Sequence, residues 1–164
     1  MDYRYPDVLA DLDFQRAVTH SFMIRPPEAV VASYLQIYPR AERDTMGFEN
    51  LIELYDAVCA STGQEAFVID GDHLVADPGR TVGAYCRHLG LPFREADLQW
   101  QAGALEDWSQ FSRWHHKAAT TTSFVQTHPE PLPVELRERA EAFVAYHRPF
   151  YDRLLARVRT PGAG

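Results

Sequence analysis

The sequence predicts an α/β domain with few parallel strands and mostly helices. Two short apolar runs, His20–Ile24 and Ala66–Ile69, are too short for helices and are closed by turn-forming residues, Arg25-Pro26-Pro27 and Asp70-Gly71-Asp72. Each is followed by residues with the spacing of amphipathic helices. Strands separated by helices pair in parallel, because an antiparallel pair needs only a hairpin.

Taken in order, Asp7–Arg16 places Val8, Leu9, Leu12 and Phe14 as on one short helix, which leads into a strand at 19–25. Pro27 and Glu28 suit the first turn of the next helix: a missing N–H is harmless there, and a carboxylate meets the positive end of the dipole. Val30, Val31, Tyr34, Leu35 and Tyr38 form its apolar face. Residues 39–47 are a polar connection. Phe48, Leu51, Ile52, Tyr55, Val58 and Cys59 mark a further helix, stopped by Gly63 as a left-handed cap. After the second strand, Asp77-Pro78 reads as an N-cap with proline at the first helical position. Val82, Tyr85, Cys86 and Leu89 line that helix, and Gly90 closes it. Trp108, Phe111 and Trp114 are spaced for a short helix over 107–116, and 118–124 is a small-residue loop. Leu136 to Val158 is a long final helix, kinked or interrupted at Pro149, with a frayed tail at 159–164.

At 164 residues the chain is one domain, 1–164, with an apolar fraction of 46%. A net charge of −7 argues against general nucleic-acid binding but leaves room for a local basic pocket. Cys59 and Cys86 are isolated, as in a reducing compartment. No run reaches the roughly 18 apolar residues of a membrane span, and MDYRYPDV has no signal-peptide layout, so a cytoplasmic protein is expected. One difficulty stands out. A two-stranded parallel sheet leaves open edges and thinly covered faces, so either further strands are hidden or another polypeptide completes the sheet; the second is the expectation here.

The pieces THSFMIRPPEAVVASY, AFVIDGDHLVADPGRTVGAYCRHLGLPF, LQWQAG, SRWHHKAATTTSF and RPFYDRL resemble the C-terminal half of the sulfotransferases, across most of residues 19–155. The resemblance implies a P-loop-NTPase-like sulfotransferase fold, here incomplete, and use of 3′-phosphoadenosine 5′-phosphosulfate (PAPS). It assigns Arg25, at a strand end, and Ser33, eight residues later, to the cofactor's 3′-phosphate. The family's Arg-Asp-Pro turn is Arg25-Pro26-Pro27 in this chain, so its acidic residue is missing. The phosphate loop of the family's first half, of the form Gly-x-x-Gly-Lys-Ser/Thr, does not occur in these residues. The expectation is therefore one subunit of a two-chain enzyme, with the phosphate-loop half on a second chain; a self-paired homodimer and a stand-alone chain are the alternatives.

An arginine fork and a hydroxyl converging near a helix start suit a phosphate; alternatively Arg25 pairs with Glu28 or an aspartate and Ser33 faces solvent. The resemblance places Lys117 with Thr121 and Ser123 in the basic loop that the family closes over the nucleotide; alternatively this is an ordinary helix end whose dipole favours basic residues. His20, His115, His116, Asp70 and Asp72 are candidates for the base that sulfuryl transfer to a hydroxyl or amine requires. His20 also reads as a core histidine, and Asp70 and Asp72 as turn-makers and helix caps. Adjacent histidines point to different helix faces and no ligand pair accompanies them, so no metal is expected. Trp100, Trp108, Phe111 and Trp114 would wall an acceptor pocket or simply pack a core. The expected reaction is sulfation of a small specialised-metabolite acceptor. The alternatives are a ring-closing or eliminating enzyme with sulfate as leaving group, and a non-catalytic stabilising subunit.

Overall fold

The computed structural model describes residues 5–103, 119–126 and 130–158. They form two compact units, Met1–Asp72 with His128–Gly164, and His73–Thr127. In the first unit, α1 (Pro6–Ala10) and α2 (Leu12–Ala17) replace the single helix expected over Asp7–Arg16. Asp11 leaves helical geometry between them, and its Oδ1 accepts from the Phe14 N–H at 2.8 Å, capping α2. Strand β1 (Ser21–Ile24) leads to α3 (Pro27–Ile37), followed by a 3₁₀ turn (Arg43–Met46), α4 (Phe48–Thr62) and β2 (Phe67–Asp70). Helix α5 (Gly71–Ala76) carries the chain into the second unit, and α7 (Val134–Leu155) returns in the first. Gly63 ends α4 at φ 69°, the left-handed cap its position suggested.

The sheet is a parallel pair, as expected, with Ser21 opposite Phe67, Phe22 opposite Val68, Met23 opposite Ile69 and Ile24 opposite Asp70. One face carries Phe22, Ile24 and Val68 into the core, where they join Val31 and Leu35 of α3, Ile52, Tyr55 and Val58 of α4, and Ala140, Tyr151 and Leu154 of α7. Val31, Leu35 and Leu154 are fully buried, and burial of each such side chain is worth about 1.5–3 kcal/mol. Tyr38, expected on the buried face of α3, is instead 48% exposed, because the helix ends at Ile37. Strand β1 alternates exposed and buried while β2 is buried throughout. Among the described residues, β2 is touched on its outer side by a single bridge from Val158, and no strand pairs with the outer edge of β1.

Two expectations change in α7 and after β2. The final helix runs through Pro149 without interruption. Proline there frees the Ala145 carbonyl, and Ala145 is exposed, so water can satisfy it. The residues after β2 are not just a turn but the one-and-a-half turns of α5. In the second unit, α6 (Pro78–Leu89) starts as expected, with Asp77 Oδ1 accepting from the Arg80 N–H at 3.0 Å. Gly83 on α6 lies against the ring of Phe93. Gln99 and Ser123 form an antiparallel bridge, supported by Trp100 N–H donating to the Thr122 carbonyl at 2.9 Å. The helix expected over 107–116 and the tail at 159–164 lie outside the described residues.

His147 of α7 is 1% exposed, stacks on Phe48 at 5.0 Å, and shares a 2.9 Å hydrogen bond between Nε2 and the Arg43 carbonyl. Its buried Nδ1 has no hydrogen-bond partner among the described residues. Burial, with a smaller contribution from the Arg43 guanidinium, holds the ring's pKa below the ordinary 6.5, against the opposing pull of the backbone bond and of Glu49. The unfolded chain therefore takes up a proton that the folded ring resists, so stability is intact at pH 7 and falls as pH drops below about 6.5. In urea titrations, the unfolding midpoint of the wild-type chain should fall between pH 7.5 and pH 5 by more than that of His147→Gln; equal falls would remove His147 as a cause.

Candidate functional site

The register of the sheet builds the site. Because Ile24 lies opposite Asp70, the next residues, Arg25 and Gly71, leave the carboxyl ends of the two strands side by side. Open parallel sheets present their ligands there. Arg25 precedes a proline, which favours extended backbone for it, and Pro26 at φ −52°, ψ 136° turns the chain directly into α3. The Pro26 carbonyl then accepts from the N–H groups of Ala29 and Val30 at 3.0 and 3.2 Å. Arg25 is exposed. The alternative partnership with Glu28 does not form: Glu28 pairs with Arg148 of α7. Among the described residues, Arg25 has no hydrogen bond or ion pair. Its stem crosses the start of α5, and a Cβ on Gly71 would stand 2.8 Å from Arg25 Cγ and 3.3 Å from the Ile24 carbonyl oxygen.

Beneath this, Asp70 is 2% exposed. Its Oδ2 accepts from the Tyr151 hydroxyl at 3.0 Å and its Oδ1 from the Asp72 N–H at 3.1 Å. A buried carboxylate needs such donors, since leaving it without them is expensive. Burial first, then the Asp70 charge, raises the Tyr151 pKa, so the phenol keeps its proton and remains the donor. The Arg148 guanidinium lies over the Tyr151 ring, 5.4 Å from its centre. Thus α3, α7, β2 and α5 meet at one end of the sheet through Glu28, Arg148, Tyr151 and Asp70.

The remaining candidates separate. Asp72 is exposed in the first turn of α5, next to this end of the sheet. Ser33 is half-buried on α3, on the side away from Val31 and Leu35, about two turns beyond Arg25. His20 was expected inside the strand but precedes it, at the opposite end from Arg25, roughly 16 Å along an extended chain. There its Nε2 is 2.9 Å from the Gln15 carbonyl and its ring meets Phe14 edge-on. Thr121 and Ser123 belong to the second unit and are half-buried, Ser123 being held in the bridge to Gln99. Trp100, in that unit, packs edge-on against Phe124 and is 40% exposed. His115, His116, Lys117, Trp108, Phe111 and Trp114 lie outside the described residues. Among the described residues, no group of three potential ligands is placed to hold a metal, and no helix is long and apolar enough to cross a membrane.

Comparison with known proteins gives the family of the chain. A family model described as a sulfotransferase domain matches residues 5–158. The chain belongs to this sulfotransferase-domain family. Two curated relatives come from Arabidopsis thaliana. Branched-chain-amino-acid aminotransferase-like protein 2 is 28% identical over 70% of this chain and 21% of its own length. Branched-chain-amino-acid aminotransferase-like protein 1 is 27% identical over 85% of this chain and 25% of its own length. The chain thus spans a quarter or less of these relatives. No solved structure matches.

Tyr151 and Gly71 are the residues that sequence reasoning did not single out for this site. The one available signal was an aspartate at the end of a buried strand, which demands a donor without saying which of eight tyrosines supplies it. Tyr151→Phe should lower stability by about 1.5–3 kcal/mol in urea unfolding, the range for a hydrogen bond to a charged group. Tyr55→Phe is the contrast. Among the described residues its buried hydroxyl has only the thiol of Cys59 as a partner, a weak one, so its removal should cost under about 0.5 kcal/mol, well below the cost of a broken bond to a charge. Equal losses in the two variants would show that the Asp70–Tyr151 bond contributes nothing particular.

Proposed function

We propose that this chain forms the 3′-phosphate wall of a nucleotide site in a sulfotransferase-type enzyme, and that a second chain supplies the phosphate-loop wall. The observation that carries this reading is Arg25: an exposed guanidinium at the carboxyl end of a parallel strand, one residue before a helix-entry turn and without an ion pair among the described residues. The matching family model supports PAPS as the cofactor class. The residues present fit the nucleotide's 3′-phosphate: Arg25 offers a two-point fork, the hydroxyl of Ser33 follows on α3, and the missing side chain at Gly71 leaves room beside the arginine stem. PAPS, when bound, supplies the sulfuryl group, and the acceptor in this reading is a small-molecule hydroxyl or amine. Arg25 and Ser33 orient the nucleotide rather than move a proton.

Among the described residues no strand pairs with the outer edge of β1, and this supports the second chain, together with the exposed apolar side chains on and before it: Leu12 (49% exposed), Phe14 (46%), Val18 (40%) and Met23 (55%). A non-catalytic role for this subunit has one observation in its favour. Both Asp70 oxygens are engaged and His20 lies at the far end of β1, so neither is placed as a base beside Arg25. Asp72, exposed at this end of the sheet, is the candidate base that remains on this chain; otherwise the base comes from the partner. An aminotransferase activity, which the relatives' names suggest for them, is not proposed, because the match takes in so small a share of each.

The test is a titration of the ¹⁵N-labelled chain with adenosine 3′,5′-bisphosphate, using adenosine 5′-monophosphate as the analogue without the 3′-phosphate. The bisphosphate should bind more tightly than the monophosphate, shifting amide resonances around Arg25 and Ser33, and Arg25→Ala should bring its affinity down to the monophosphate's. Unchanged bisphosphate affinity in that variant, or no shifts in the wild type at millimolar nucleotide, would remove the role assigned to Arg25. Co-expression with the product of the adjacent reading frame should tighten bisphosphate binding by about tenfold or more, an added 1.4 kcal/mol of contacts. Tight binding by the chain alone would overturn the two-chain part.

A further inference from the structure

Gly71 has no conformational reason to be glycine. It is not among the residues with positive φ, so its backbone at the start of α5 is one that alanine also adopts. What excludes a side chain is crowding. A Cβ would meet Arg25 Cγ at 2.8 Å and Cδ at 3.5 Å, with the Ile24 carbonyl oxygen at 3.3 Å. The turn cannot easily back away, because Asp70, immediately before Gly71, is pinned through both carboxylate oxygens, by the Tyr151 hydroxyl and the Asp72 N–H. The arginine is the mobile party. Its Cγ is the first atom moved by χ1, and side chains relieve contacts by jumping between staggered wells. Such a jump swings the whole guanidinium to another place.

From this contact we infer that Gly71 is a positioning residue for nucleotide recognition: by leaving the end of β2 bare it sets the χ1 of Arg25, and so aims the guanidinium at the 3′-phosphate. The inference rests on the role proposed above for Arg25. A substituted Gly71 would leave the fold intact and the arginine charged, yet misdirect it. The effect on binding would exceed the effect on stability, the reverse of what a packing defect produces.

A double-mutant cycle separates the two. Wild type, Gly71→Ala, Arg25→Ala and the double variant are checked for folding by circular dichroism and titrated with adenosine 3′,5′-bisphosphate and with adenosine 5′-monophosphate. Gly71→Ala should weaken bisphosphate binding by about tenfold, the scale of one charge-assisted contact, leave monophosphate binding unchanged, and have no further effect once Arg25 is alanine. Full bisphosphate affinity in Gly71→Ala, or the same loss in both backgrounds, would overturn the inference while leaving the role of Arg25 standing. Failure of Gly71→Ala to fold would also overturn it, since the clash would then fall on the backbone rather than on the arginine stem. No loss in Arg25→Ala would instead bring down the underlying reading, and this one with it.

Discussion

Parallel pairing of two four-residue strands, in the register that sets Ile24 beside Asp70, is the constraint on which the candidate site depends. Side chains on a strand alternate faces, so this register decides which residues share a face as well as which ends are level. Phe22, Ile24 and Val68 go to the core together. Arg25 and Gly71 emerge together beyond it. A slip of one residue would turn Phe22 and Ile24 outward and move Arg25 off the glycine. The apolar core on one face thus enforces the geometry of the polar site at its edge, which it meets through Ile24 and Tyr151.

The second device is a buried carboxylate with a polar chain leading out to the surface. Asp70 is held by Tyr151 and by the first turn of α5, Tyr151 lies under Arg148, and Arg148 takes Glu28 from the start of α3. The outermost pair is exposed and worth little in stability. Its consequence is electrostatic. The acidic side chain nearest Arg25 along α3 is committed elsewhere, so the arginine keeps its charge available at the strand end.

Features that depend on near neighbours could be read directly from the residues. The strand-turn-helix around Arg25, the Gly63 stop, the Asp77-Pro78 start and the parallel arrangement all follow from patterns a few residues long. What escaped depends on distance or on competition. Tyr151 reaches Asp70 across 81 residues of sequence, and the pattern that places both in the interior does not pair them. Asp11 divided the first helix because its side chain caps better than its backbone continues. Proline at position 149 suggested a kink or a break; packing of His147, Tyr151 and Leu154 on either side of it keeps α7 unbroken. Gly71 looked like part of a turn, since nothing in the sequence announces which side chain will lie across it.

The two prolines after Arg25 reach beyond the turn they make. Proline has no N–H, so main-chain donors along the outer edge of β1 cease at Arg25. A strand arriving on that edge finds a ladder only four or five residues long, with a hard stop at its carboxyl end. So short an edge, ended by a charge and two prolines, resists indiscriminate growth into aggregates. The same stop sets a limit: a strand pairing there in parallel finds no main-chain donor of this chain beyond Arg25, so the ladder ends at the arginine.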